Sequence, residues 1–277
     1  MLNYNGDLVS SDTLKISPNN RAFRYGDSVF EIVKIVNGKL IFWEDHYFRL
    51  MASMRMLRMK IPIEFTLEFL EQEILKTLPI ETKYLTQSAR LSITRKDGGF
   101  YLPKTNKVDY LIQVQDISFS IKPKYTIDLY KDFFLYSGYL STVNSNNKLI
   151  NTLASIFAQE NELDNCILLN ERKGVVEVTS GNIFLVKGNS IKTPPLEEGC
   201  LKGIIRGKVI EILLKHNEYT IEESIISPFE VQKADEIFIT NSIIGIQPVT
   251  NYRKKTFSTL TANQIAVSLK ILEITAK

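Results

Sequence analysis

From Val29 to Val36 the sequence alternates, and Asn37-Gly38 then separates that run from Leu40-Ile41-Phe42-Trp43, the strongest short-range hairpin signal in the chain. Both turn positions of such a hairpin need positive φ, which Asn and Gly tolerate, so antiparallel sheet is expected close to the N-terminus. A turn at Pro18-Asn19-Asn20 and the triplet Tyr25-Gly26-Asp27 precede the first strand. After it, E-D-H-Y-F-R-L-M-A-S-M places His46, Leu50, Met54 and Leu57 at helical spacing, with Arg49 on the same helix and Pro62 beyond its end. A helix over Thr66 to Thr77 follows, then a strand over Ser88 to Thr94. The run Arg95-Lys96-Asp97-Gly98-Gly99, whose paired glycines permit a tight turn, leads to a strand over Tyr110 to Val114.

In the second half, Leu140 to Glu160 passes from a polar, Asn-rich approach into an amphipathic run. Leu149, Ile150, Leu153, Ile156 and Phe157 recur at helical spacing, so Asn144 to Asn147 are expected near a helix start. Strands are expected over Cys166 to Leu169, around Glu177 and over Ile183 to Val186, with a helix over Gly207 to His216. Ala234 to Val249 reads as a strand entering a polar turn. Strands alternating with helices in both halves predict mixed α/β (α+β) layers. Polar residues around Pro123 mark the boundary between a small N-terminal domain (1–116) and a larger C-terminal one (124–277), joined by 117–123.

The chain's 277 residues are 44% hydrophobic and 23% charged, enough for a globular core and too apolar for disorder. Lys+Arg 34 against Asp+Glu 31 leaves +3, dispersed along the chain, which argues against nucleic acid or an anionic membrane as partner. Cys166, Cys200, His46 and His216 have no metal-ligand or disulfide spacing, so no metal is expected and a reducing cytoplasm is the default. No segment resembles a signal peptide or approaches eighteen uncharged apolar residues.

Two stretches suit a phosphate. Gly203-Ile204-Ile205-Arg206 opens a helix after a proline-stiffened loop, and a helix start offers amide donors and a positive field. Thr240-Asn241-Ser242 offers hydroxyls at a strand end. The order and spacing of five segments carry more than either. R-A-F-R-Y-G-D-S-V-F-E, E-D-H-Y-F-R-L, V-V-E-V-T-S-G-N-I-F, T-P-P-L-E-E-G-C-L-K-G-I-I-R and A-D-E-I-F-I-T-N together resemble the class IV aminotransferase family across nearly the whole chain. That family comprises the fold type IV pyridoxal-phosphate enzymes, which include branched-chain and D-amino acid aminotransferases and aminodeoxychorismate lyase.

The resemblance implies a two-domain fold type IV enzyme, a homodimer, with pyridoxal 5'-phosphate between the domains. By the same resemblance Arg49 binds the phosphate together with the Ile204 and Ile205 amides and the Ser242 hydroxyl. Glu177 faces the pyridine nitrogen, and Tyr25 and Arg95 lie toward the substrate. A carboxylate against that nitrogen keeps it protonated, so the ring accepts electrons when a substrate carbon loses its proton.

The lysine is where the pattern breaks. The family's commonest form is K-x-x-N-x-L, about thirty-three residues before the Glu. Here N-S-N-N-K-L sets Asn147 and Leu149 on that pattern, and 177 − 144 = 33, so the lysine's position reads Asn144. Lys148 is the alternative nucleophile. It precedes Asn151 in K-L-I-N-T-L, but at 177 − 148 = 29 it needs a gap. An amide forms no imine and shuttles no proton between substrate and cofactor. Three functions therefore stand open: exchange of an amino group between an amino acid and a 2-oxo acid, branched chains included; elimination of pyruvate from aminodeoxychorismate, toward which the R-x-x-G-G element leans; and cofactor binding without turnover. Phe100-Tyr101-Leu102 lacks the Arg and His of the D-amino acid branch.

Overall fold

The computed structural model describes residues 1–79, 86–118, 120–215 and 218–275. It divides into two compact units, Met1–Ser118 with Asn144–Asn147 in the first and the rest of the chain in the second.

The first unit contains β1 (Leu2–Tyr4), β2 (Asp7–Val9), α1 (Arg21–Tyr25), β3 (Ser28–Val36), β4 (Lys39–Leu40), α2 (Trp43–Met56), α3 (Leu67–Thr77), β5 (Thr86–Arg95) and β6 (Val108–Asp116). The strands form one antiparallel sheet in the order β2-β1-β6-β5-β3-β4. Asn37 and Gly38 take φ of 51° and 75°, as the hairpin requires. The second hairpin strand, expected through Trp43, stops at Leu40. Phe42 turns left-handed at φ 54° and Trp43 opens α2, whose first turn carries Glu44 and Asp45. Acidic side chains there favour the helix start, and the Trp43 indole donates to the Leu67 carbonyl at 3.0 Å, so helix wins over the β-propensity of Ile-Phe-Trp. Val29, Val33 and Ile35 alternate into a core with Leu91, Ile93 and Ile112, covered by Leu50 and Met54 of α2 and Leu70 and Ile74 of α3.

Residues 144–147 belong to this unit because they pair with β3. The Phe30 amide donates to the Asn144 carbonyl at 2.9 Å, and the Asn146 amide donates to the Ser28 carbonyl at 3.1 Å. Since β5 occupies one edge of β3 throughout, this strip takes the other edge, which β4 uses only at Ile35 and Val36. Asn144 to Asn147 are thus a short extended strip that leads directly into the helix start expected there, α4 beginning at Leu149 after its N-cap Lys148.

The second unit contains β7 (Thr126–Leu129), α4 (Leu149–Glu160), β8 (Asn165–Leu169), β9 (Val175–Val178), β10 (Asn182–Lys187), β11 (Ser190–Thr193), α5 (Ile204–Lys215), β12 (Thr220–Glu223), α6 (Pro228–Lys233), β13 (Glu236–Asn241), β14 (Gly245–Val249), β15 (Asn251–Tyr252), β16 (Lys255–Thr256) and α7 (Leu260–Thr275). Two five-stranded sheets, β12-β11-β10-β13-β14 and β16-β15-β7-β8-β9, share one core. Ile127, Ile167 and Val178 of the second sheet meet Ile183, Ile237, Ile239 and Val249 of the first. Lys148 is the N-cap of α4, and Ala154 and Ala158 bury that helix against Cys166 and Leu168 of β8. His216, expected to end α5, lies outside the described residues. No described helix is long and apolar enough to cross a membrane.

Candidate functional site

In the second unit the residues gather around Glu177. β9 is buried throughout, which leaves this carboxylate 6% exposed inside a run of valines. Its Oε2 accepts the Leu201 amide at 2.8 Å, whereas Oε1 takes no hydrogen bond from any described residue. Burial raises the carboxyl above its ordinary range, opposed by the charge of Lys148 and by the Leu201 amide. Asn151, three residues beyond Lys148 and on the same face of α4, donates to the Thr179 carbonyl at 2.9 Å. That bond turns the start of α4 toward the strand carrying Glu177.

Leu201 is itself held. Asn182, first residue of β10, donates to the Leu201 carbonyl at 2.9 Å. A side chain at Gly203 would collide with the Asn182 amide oxygen, so glycine is required where the loop enters α5. Arg206, in the first turn of α5, fastens the loop from the other end by donating to the Pro194 carbonyl at 2.9 Å and pairing with Glu223 at 2.5 Å. Ile204 and Ile205 open α5, where the first amides have no acceptor inside the helix. Ser242 sits in the turn after β13, shaped by Asn241, whose side-chain oxygen accepts the Ile243 and Ile244 amides at 3.0 and 2.8 Å. At the end of β13 the Thr240 hydroxyl is buried with no hydrogen-bond partner among the described residues.

In the first unit Asn144 is buried, and its Nδ2 donates to the Phe30 carbonyl at 2.9 Å. The side chain that the residue count set in the lysine's place is thus spent on the edge of β3. Arg49, on α2, turns its guanidinium to Glu31 of β3, with Nε donating to Oε1 at 2.9 Å and Nη2 to Oε2 at 2.5 Å. His46 meets the same Oε2 through Nδ1 at 2.7 Å. Burial would raise Glu31, but the Arg49 charge and the hydrogen bonds from His46 and Arg49 outweigh it and leave the carboxyl below its usual range. Burial lowers His46 despite Glu31 beside it, so the imidazole is neutral and donates from Nδ1. Tyr25 ends α1, its ring centroid 5.7 Å from that of Tyr101 and 5.0 Å from the Arg21 guanidinium.

The Arg95 guanidinium is buried and donates to Asp27 at 2.9 Å, to Asn106 at 2.6 Å, and to the Leu57 and Arg58 carbonyls at 2.6 and 3.3 Å. Asp27 also receives Arg21, whose other nitrogens hold the Gly98, Phe100 and Tyr101 carbonyls. Arg95 thus braces the loops around Asp27, with its donors spent on protein acceptors.

The class IV amino-transferase family model matches residues 28–252, and the chain belongs to that family. It is 29% identical to the D-alanine aminotransferase of Bacillus licheniformis over 99% of this chain and 98% of that protein. Against the aminodeoxychorismate lyase of Vibrio harveyi the identity is 25% over 83% of this chain and 85% of the other. In fold it is similar to the branched-chain aminotransferase of Thermoproteus uzoniensis solved with norvaline: TM-score 0.89, 22% identity, 99% of this chain and 94% of that one. The architecture is accordingly that of fold type IV.

Class IV aminotransferases use pyridoxal 5'-phosphate, and the residues of the second unit fit that group. Among the described residues, Glu177 has one oxygen that accepts no hydrogen bond, α5 begins behind a glycine with amides that have no acceptor inside the helix, and the Thr240 hydroxyl has no partner. Asn182, Asn151, Glu31 and His46 went unremarked as functional positions in the sequence. Nothing around Asn182 singles it out. Asn151 had a signal in K-L-I-N-T-L, and Glu31 and His46 stand in the segments V-F-E and E-D-H-Y-F-R that carry the family likeness.

Proposed function

We propose that the chain holds pyridoxal phosphate in the manner of its family, with Lys148 as its reactive amine, and transfers an amino group between an amino acid and a 2-oxo acid, branched-chain donors being the substrate class to test. The observation that carries this reading is Glu177, a buried carboxylate with one oxygen fixed by Leu201, the other open and the Lys148 charge acting on it. When bound, the cofactor supplies an electron sink for the substrate carbon. The chain's own residues then divide the work. Glu177 holds a proton at the ring nitrogen, Leu201 orients Glu177, and the Ile204 and Ile205 amides with the Ser242 hydroxyl receive phosphate oxygens. Lys148 offers the amine that attaches and that carries a proton to and from the reacting carbon.

Asn144 is the weaker choice for that place, because its amide nitrogen is committed to the Phe30 carbonyl and its backbone to β3. Preferring Lys148 moves the nucleophile four residues along and removes the ground for a chain that binds without turnover. The lyase reading loses its leaning element, because Arg95 is a strut. Phe100, Tyr101 and Leu102 are exposed and offer no cation to a substrate carboxylate, which favours branched-chain over D-amino acid donors. A cytoplasmic homodimer is inferred from the family alone, and sedimentation at micromolar concentration as a monomer would count against it.

The test loads the chain with pyridoxal 5'-phosphate, reduces it with borohydride and maps the added mass, then assays branched-chain donors and aminodeoxychorismate. The mass is expected on Lys148, and Lys148→Ala should fix none and lose about 10²–10⁴-fold or more in turnover. A response to aminodeoxychorismate alone would move the chain to the lyases. A parent that fixes no mass, while Asn144→Lys does, would return the nucleophile's place to position 144.

A further inference from the structure

Two loops meet the bond between Glu177 and Leu201, and a pair of buried side chains ties those loops together. Asn170 follows β8, in the turn that leads to β9 and Glu177, and it has no exposed surface. Its Oδ1 accepts the Arg172 and Gly174 amides at 3.1 and 2.8 Å, which fixes the flip of the side chain and leaves Nδ2 as the donor. Nδ2 points across to the other loop. It donates to Oε2 of Glu198 at 2.6 Å and to the Glu198 carbonyl at 3.1 Å. Glu198 is 5% exposed, and its Oε1 takes Arg172 Nη2 at 2.7 Å. A Cβ at Gly174 would lie 3.0 Å from Glu198 Oε2 and 3.3 Å from Asn170 Oδ1, so the bare backbone there is what lets the two loops close on each other.

Glu198 lies three residues before Leu201, and Gly174 lies three residues before Glu177. One network therefore holds both the donor and the acceptor of the 2.8 Å bond that occupies Glu177 Oε2. We propose that Asn170 and Glu198 are positioning residues for Glu177, setting the Leu201 amide against Oε2 so that Oε1 is the oxygen presented to the cofactor's ring nitrogen. This rests on the reading of Glu177 given above. Without the link, the loop from Pro195 to Leu201 keeps its anchors at Asn182 and Arg206 and the half-exposed ion pair of Glu198 with Arg172, but loses its buried tie to the turn that leads into the strand of Glu177. The carboxylate can then rotate, and the ring nitrogen loses a fixed acceptor. A hydrogen bond to a charged group is sensitive to such misplacement, so the protonation of the ring should register it.

The experiment uses the full chain loaded with pyridoxal 5'-phosphate and compares the parent with Glu198→Ala, Glu198→Gln and Asn170→Asp. Absorbance of the bound cofactor is followed across pH, with kcat and KM on a branched-chain donor and melting temperatures alongside. In Glu198→Ala the midpoint of the absorbance change should move by about half a unit or more, and kcat should fall about tenfold with KM within about threefold of the parent. Glu198→Gln keeps an acceptor for Asn170 and should restore the parent midpoint. Asn170→Asp keeps the acceptor for the turn amides and replaces the donor facing Glu198 by a second carboxylate oxygen, which parts the two side chains by repulsion, so it should reproduce the alanine shift even if the alanine variant fails to fold. A parent midpoint and kcat in Asn170→Asp, whatever the melting temperature, would make the link a purely structural one and overturn the proposal. If the parent binds cofactor but Glu177→Gln leaves its spectrum unchanged, the reading of Glu177 falls, and this inference with it.

Discussion

Replacing Glu177 by Gln separates two consequences that have opposite signs. The carboxylate is buried, and burial raises its pKa, so the folded state holds it ionised at a penalty. For an acid whose folded pKa lies above its unfolded value, stability is highest below the unfolded pKa, about 4.3 for Glu, and is lost as pH rises toward the folded pKa. Glutamine is neutral throughout and can still accept the Leu201 amide now received at 2.8 Å. The unliganded Glu177→Gln protein should therefore melt at the same temperature as the parent near pH 4 and above it by about pH 8. Cofactor affinity should move the other way. The open oxygen would lose a charge-assisted bond worth about 1.5–3 kcal/mol, roughly tenfold to hundredfold in dissociation constant. Melting curves across that pH range and a titration at neutral pH read both effects. A variant less stable than the parent at every pH, with affinity changed by less than about twofold, would refute a ring-facing Glu177 and make it a structural carboxylate.

Arg49→Ala should lower stability, because Glu31 would stay buried without its ion pair at 2.5 Å. Breaking such a pair costs roughly 3–5 kcal/mol, and denaturant titration should show a loss of that size. Stability untouched would mean that the pair with Glu31 is dispensable. His46 predicts an acid limb. Its folded pKa is lowered, so stability should fall as pH drops below about 6.5 toward the folded value, and His46→Gln should flatten that slope, as melting temperatures between neutral pH and about pH 5 would reveal.

The hairpin at Asn37-Gly38 was legible in the sequence because a two-residue turn is decided by the residues that form it. Its second strand was misjudged for a non-local reason. Nothing in Ile41-Phe42-Trp43 announces that the Trp43 indole will find the Leu67 carbonyl, 24 residues away. The strip at Asn144 to Asn147 shows the same limit. Its partner Phe30 lies 114 residues earlier, and a short run of Asn and Ser carries no period by which to recognise a strand. Counting back from Glu177 to the nucleophile suffers from a related weakness. The count crosses the connection from α4 to β8 and the turn from β8 to β9, and surface connections change length without moving the elements they join. Glu177 could be placed because it interrupts an apolar run, which marks a buried charge in any fold. Arg95 could not be assigned by its type alone. An arginine beside paired glycines suits a substrate loop or a strut equally, and only its four acceptors decide between them.

Asn144 and Lys148 stand four residues apart, and the energetics favour different tasks for them. The strip's bonds to β3 run mainly through the backbone, and the Asn144 side chain adds one more bond of the same kind, so a polar, uncharged residue suits that edge. An ammonium in the same pose would carry its charge into a buried position with a single carbonyl for company, which is costly unless a carboxylate balances it. The charge of Lys148 opposes the burial penalty of Glu177, although no ion pair joins them. The relief is partial, because burial still raises the Glu177 carboxyl, and among the described residues only the Leu201 amide donates to it. A ligand that brings an N–H to Oε1 reduces that penalty, and an electrophilic carbon on the same ligand would engage the Lys148 amine. Loading with pyridoxal 5'-phosphate should therefore raise the melting temperature of the parent more than that of Lys148→Ala, and that of Lys148→Ala more than that of Lys148→Ala combined with Glu177→Gln. Equal gains in all three would mean that neither residue meets the cofactor.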